Sequence, residues 1–222
     1  HLIYGIQQRK GILVVTGEIG TGKTTVCRTL LGRLNKNIKT ALVLNPYFSE
    51  LQLLQFIVKD LGIPGTFHNK LKLVSALNEF LLEQSSLGNN VAIIIDEAQN
   101  LKVSQLEQIR LLSNLETEKE KLLQIILVGQ PELLEKLKLS SLRQLTQRIA
   151  VRYHILPLEK NEVSEYIKHR IRVACRAVNG HSVPDDQLPV QFNDAAVDNI
   201  FLHSKGTPRL INIICDRALL SG

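Results

Sequence analysis

The stretch Gly17-Glu18-Ile19-Gly20-Thr21-Gly22-Lys23-Thr24 most constrains what this chain can fold into. It fits G-x-x-x-x-G-K-[ST] in full, and it lies between an apolar β-rich run at 11–16 and a helical pattern at 24–34. Glycines at these places let the backbone curl until successive N–H groups point inward at phosphate oxygens. The helix that follows adds its positive N-terminal end. Lys23 then reaches the β- and γ-phosphates of a nucleotide, and the Thr24 hydroxyl can bind Mg²⁺. Thr25 reads as a helix residue that can also touch phosphate. The expected nucleotide-binding set is therefore Gly17, Glu18, Ile19, Gly20, Thr21, Gly22, Lys23, Thr24 and Thr25, joined by Arg209 from the last helix.

Four further apolar runs follow the first, at 40–44, 91–95, 122–128 and 151–156. Continuous apolar runs, rather than alternation, suit strands buried on both faces of a parallel sheet. Helical patterns at 24–34, 49–61, 71–87 and 104–115 separate them, which is a βαβ series with helices on both sides of the sheet. After Pro157 the texture changes. A helix is expected at 161–178, with an apolar stripe through Val163, Tyr166, Ile167 and Ile171. A loop holding Gly180, Pro184, Asp185, Asp186 and Pro189 follows. Asn193 is placed to cap a helix at 194–203, and a last helix is expected at 209–220. The boundaries expected are a P-loop core at 1–158 and an all-helical lid at 159–222.

Composition narrows the function classes. With 44% hydrophobic and 22% charged residues over 222 positions, the chain has enough apolar material for a folded core rather than a disordered one. The longest unbroken apolar run, 91–95, is strand-sized and far short of the roughly 18–20 residues that span a bilayer, so a soluble domain is expected. The opening at His1 suggests a piece of a longer protein. The net charge of +6 permits contact with nucleic acid or an anionic membrane, but no block of basic residues concentrates it. Cys27, Cys175 and Cys215 are odd in number and far apart, so they read as buried free thiols rather than a zinc site or a disulfide framework.

Asp96-Glu97 stands at the end of the 91–95 run, the edge where parallel sheets bind ligands. There Asp96 would hold Mg²⁺ and Glu97 would act as general base toward the attacking water. Capping of the next helix is the plainer role for such a pair. Gln130, at the end of the fourth run, is placed to touch both the γ-phosphate and the water, or it is simply a loop glutamine. Downstream, Arg148 is the first choice for an arginine that reaches a neighbouring subunit's nucleotide, with Arg143 and Arg152 as alternatives. A salt-bridge role stands beside it for each. Arg209 follows Pro208 in the first turn of the last helix, where a cation opposes the helix dipole unless an anion compensates. That placement points it at phosphate, unless an acid pairs with it.

Together these residues resemble an AAA+ ATPase, with Gly17–Thr24 as Walker A and Asp96-Glu97 as Walker B. Gln130 corresponds to the first sensor, where many relatives have Asn, Arg148 to the arginine finger and Arg209 to the second sensor. The chain is most similar to the secretion-ATPase group of general secretion pathway protein A. The strings that look like that group include Asp96-Glu-Ala-Gln99, Leu127-Val-Gly-Gln-Pro-Glu-Leu133, Arg152-Tyr-His154 and Gly206-Thr-Pro-Arg-Leu-Ile-Asn212.

The resemblance implies a P-loop α/β three-layer sandwich, a parallel five-stranded sheet in the order 5-1-4-3-2, and a small C-terminal helical lid. It implies ATP and Mg as ligands, ATP hydrolysis between core and lid, and homo-oligomers on nucleotide binding. A cytoplasmic location follows, as does a membrane secretion-system partner engaged through regions outside this chain. Relatives serve type II secretion, pilus biogenesis or exopolysaccharide export. The adenine would sit near residues 2–6 and the Pro157-Leu158 hinge. No N-K-x-D string is present, which favours ATP over GTP. Two rivals stay open. One is a DNA-linked regulator of the transposition or origin-recognition type, and the other is a nucleotide-gated scaffold with little turnover.

Overall fold

The computed structural model describes residues 5–6, 8–35, 37–117, 120–179, 184 and 187–221. Leu2, Ile3 and Tyr4 of the expected adenine pocket, and Gly180, Asp185 and Asp186 of the expected loop, lie outside them. Two compact units are present. The first is built on the chain up to Gly17 together with Lys23–Ile155, and the second on Glu18–Gly22 with the chain from Leu156 onward.

In the first unit, strands β1 (Ile12–Gly17), β2 (Ile38–Val43), β3 (Asn90–Ile95), β4 (Leu123–Gly129) and β5 (Ile149–Ile155) form one sheet. Its order is β2-β3-β4-β1-β5 and every pairing is parallel, as expected. The three inner strands, β1, β3 and β4, are buried at every position. The outer strands β2 and β5 are only partly covered, and their sequences are correspondingly more polar.

Alternate residues of each inner strand serve opposite faces. Ile12, Val14, Ile93, Ile95, Ile125 and Leu127 share one core with α2 (Glu50–Asp60), α3 (Lys70–Ser86), α4 (Val103–Leu112), α5 (Glu132–Leu137) and α6 (Arg143–Gln147). Leu13, Val15, Ala92, Ile94, Ile126 and Val128 pack on Ile6 and on Cys27 and Leu30 of α1 (Lys23–Arg33). The layers are thus helix, sheet, helix.

The sequence reading misses α5 and α6. At six and five residues they are shorter than two helical turns, too short for an apolar period to show. It also runs α4 on to 115, whereas the helix stops at Leu112 and Ser113 caps it by donating its N–H to the Ile109 carbonyl at 3.0 Å.

In the second unit, α7 (Lys160–Asn179), α8 (Asp194–Ser204) and α9 (Pro208–Ser221) surround a core of Val163, Ile167, Val197, Ile200 and Ile211. Tyr166 and Ile171, the rest of the expected α7 stripe, pack against it. Asn193 caps α8 as expected, its side chain accepting the Ala196 N–H at 2.8 Å. Cys175 is buried and Cys215 half-buried, and all three cysteines are free. Among the described residues no helix is long and apolar enough to cross a membrane.

The cap gives a direct stability test. Asn193→Ala is expected to cost about 1 kcal/mol of unfolding free energy, while Asn193→Asp costs almost nothing. Urea denaturation followed by circular dichroism reads both.

Candidate functional site

The parallel sheet brings its chemistry to one edge. Register places Thr16 opposite Gly129 and Ile95 opposite Leu127, so the residues after β1, β3 and β4 leave the sheet side by side. Lys23 opens α1 and is almost wholly buried, and its ammonium donates to the Gly17 carbonyl at 2.9 Å. The loop between them turns on Gly20 (φ 84°) and Gly22 (φ 93°), both in the left-handed region. Thr21 is buried, and its hydroxyl donates to the Glu18 carbonyl at 2.8 Å. Ile19 and Thr25 are exposed, as is Glu18.

The Thr24 hydroxyl donates to Asp96 Oδ2 at 2.6 Å across 72 residues of sequence. Asp96 is 2% exposed, and its other oxygen accepts the Glu97 N–H at 2.9 Å. A hydroxyl and a carboxylate so close together are hard oxygen donors of the kind Mg²⁺ takes, alongside water and substrate phosphate. Glu97 stands on a left-handed backbone (φ 52°), a costly conformation for a residue with a Cβ. Gln130 Nε2 donates to Glu97 Oε2 at 3.3 Å, so the structure brings the expected sensor and the expected base together.

Three residues of this edge carry no motif signal. Gln99 donates to Glu97 Oε2 at 2.5 Å, Lys136 donates to the Gln99 carbonyl at 2.5 Å, and His154 Nδ1 lies 3.0 Å from the Thr16 hydroxyl. Gln99 and His154 occur in the family-like strings, but nothing in their spacing announces a side-chain contact.

The arginines are placed differently. Arg148 follows α6 and immediately precedes Ile149, which pairs with Ile12 at the start of β1. It therefore lies at the opposite end of the sheet from Lys23, roughly 20 Å away at about 3.3 Å per strand residue. Its guanidinium binds the Ser113 hydroxyl at 3.3 Å and the Asn114 side-chain oxygen. Arg143, Arg148 and Arg152 are all exposed, and none pairs with a carboxylate among the described residues. Arg152 lines a cavity of about 280 Å³ with Thr16, Thr146 and His154.

In the second unit, the Arg209 side chain is exposed in the first turn of α9, and its backbone N–H donates to the Gly20 carbonyl at 3.2 Å. A Cβ on Gly20 would come within 2.8 Å of Arg209 Cβ. Leu158 donates its N–H to Gly206 at 2.9 Å.

A sequence-family profile described as AAA domain matches residues 6–137. The chain belongs to the AAA domain family. An AAA domain is a nucleotide-binding fold, which agrees with the loop and the carboxylates at the sheet edge. The chain is also 43% identical over all of its 222 residues to general secretion pathway protein A of Aeromonas hydrophila, and it spans 39% of that protein's length.

Solved structures share the fold at lower identity. The Aeropyrum pernix ORC2 protein in its ADP form is 16% identical over 99% of this chain and 61% of its own, with a TM-score of 0.69. Cdc6p from Pyrobaculum aerophilum is 18% identical over 96% of this chain and 57% of its own, with a TM-score of 0.64.

In α1, Cys27 is 2% exposed. Burial, and next the charge of Asp96, push its thiol up from 9.0 to about 12. The unfolded chain therefore ionises this group first as pH rises, while the folded one keeps the proton. Stability from this group is complete below pH 9 and falls by about 1.4 kcal/mol per unit between the two values. Guanidinium unfolding at pH 8.5 and 10.5 is expected to show that decline in the wild type and a shallower one in Cys27→Val.

Proposed function

We propose that this AAA domain is a Mg²⁺-dependent ATPase that hydrolyses ATP to ADP and phosphate as part of a bacterial envelope secretion or pilus and exopolysaccharide export system. The observation that carries the reading is the 2.6 Å contact between Thr24 and Asp96, with Lys23 and Glu97 next to them in sequence. Likeness over the whole chain to general secretion pathway protein A supports the envelope role.

In this reading the loop Gly17–Thr25 cradles the phosphates with backbone N–H groups, and Lys23 neutralises the β- and γ-phosphates. Thr24 and Asp96 would hold Mg²⁺, which supplies charge neutralisation on the phosphate oxygens. Glu97 accepts a proton from the attacking water, and Gln130 orients that water by its amide. The P–O bond to the ADP leaving group breaks as the water oxygen bonds to the γ-phosphorus.

Arg209, whose backbone N–H donates to the Gly20 carbonyl, would contact phosphate from the start of α9. Residues 1–158 then act as the core and 159–222 as the lid. Arg148, at the far end of the sheet from Lys23 of its own chain, would make its contribution in a neighbouring subunit. In this reading the working state is a homo-oligomer on the cytoplasmic side of the inner membrane.

Steady-state ATP hydrolysis against protein concentration tests this. Specific activity of the wild type is expected to rise with concentration. Glu97→Gln should lose about 10²–10⁴-fold in rate while still binding ATP. Arg148→Ala should lose about 10³-fold or more and abolish the concentration dependence, while Lys23→Ala should lose ATP binding itself. Flat activity with a silent Arg148→Ala would remove the oligomeric mechanism.

A further inference from the structure

Two amides converge on one oxygen of Glu97. Gln99 Nε2 lies 2.5 Å and Gln130 Nε2 3.3 Å from Oε2. Among the described residues Oε1 accepts no hydrogen bond, so it is the oxygen left for a water. Gln99 makes the shorter contact, and it is itself held by two further hydrogen bonds. Its Oε1 accepts the Gln130 N–H at 3.0 Å. Lys136 Nζ donates to its carbonyl at 2.5 Å and to the Leu101 carbonyl at 2.7 Å, which pins the 3₁₀ turn Ala98–Asn100. The end of β4 closes over it, since a Cβ on Gly129 would stand 2.7 Å from Gln99 Oε1 and 3.2 Å from its N.

The orientation of this amide is decided by chemistry. A backbone N–H can only donate, so the Gln99 atom facing Gln130 must be oxygen, and the NH₂ must face the carboxylate. The contact is then a hydrogen bond to an ionised group, the stronger kind. Glu97 also sits on a left-handed backbone, which persists only where the surroundings over-determine it.

We propose that Gln99 is the positioning residue of the hydrolytic step. It ties the ends of β3 and β4 together and sets the Glu97 carboxylate so that one oxygen faces the attacking water. Gln99 touches no phosphate and transfers no proton; it acts through Glu97. This role rests on the ATPase reading above.

The discriminating variant is Gln99→Glu. It keeps the length of the side chain and the acceptor facing Gln130, but it sets a second carboxylate against Glu97. The expected result is a kcat lowered by about 10–100-fold, with the Kd for a fluorescent ATP analogue in Mg²⁺ changed by less than about threefold.

The exchange Glu97→Gln with Gln99→Glu provides a second readout. It re-forms an amide–carboxylate bond with the partners reversed. Tm lost in Gln99→Glu should return in the exchange, while kcat should not, because the base now stands at the wrong position. Wild-type kcat in Gln99→Glu would overturn the positioning role. So would a loss of Tm, ATP binding and kcat together that the exchange fails to recover. If the wild type itself shows no turnover at any concentration, the ATPase reading fails first and the role of Gln99 with it. The wild-type measurement thus tells the two failures apart.

Discussion

Everything at this site depends on strands that run the same way and are buried on both faces. Parallel pairing of β1 with β4, and of β4 with β3, delivers three chain exits to a single edge. With neither face open to water, the inner strands hold their register through close-packed Ile, Leu and Val, and a slip would move every side chain to the wrong core. Residues 72 positions apart, Thr24 and Asp96, can then meet at 2.6 Å. A hinged or half-exposed sheet could not hold them at that distance.

The chemistry is concentrated where the strands stop, and it costs conformational energy there. Glu97 leaves β3 in the left-handed region, Asp96 caps that turn through its own carboxylate, and Gln99 and Gln130 hold the side chain. Such strain is stable only because each neighbour is itself anchored, as Gln99 is by Lys136. The second unit is built on different terms. Three helices share a small apolar core, and the tip of the glycine-rich loop is fixed to the start of α9 through the Gly20 carbonyl.

Much of the fold was legible because its signals are local and periodic. The loop 17–24 stood out, since few other sequences combine that glycine spacing with Lys and Thr at a helix start. Inner strands announced themselves as unbroken apolar runs. The α7 stripe and the Asn193 cap were readable from the 3.6-residue period and from cap chemistry. Short elements were not legible. α5 and α6 complete less than two turns, and the early stop of α4 at Leu112 depends on a turn rather than on a Gly or Pro signal.

What the sequence determined alone was the class of fold, and it marked the glycine-rich loop at 17–24 and the carboxylates Asp96 and Glu97 as the candidate site. These depend on residue type and spacing along one stretch of chain. Strand order was expected only by resemblance, because spacing along the chain does not say which strands become neighbours. Tertiary structure decided the rest. It set Gln99 between Glu97 and Gln130, put Lys136 under the turn, and sent Arg148 to the far end of the sheet. Each of these is a meeting of side chains distant in sequence or turned by a single backbone angle. The physical reason is that packing and register, not local propensity, fix where a side chain ends.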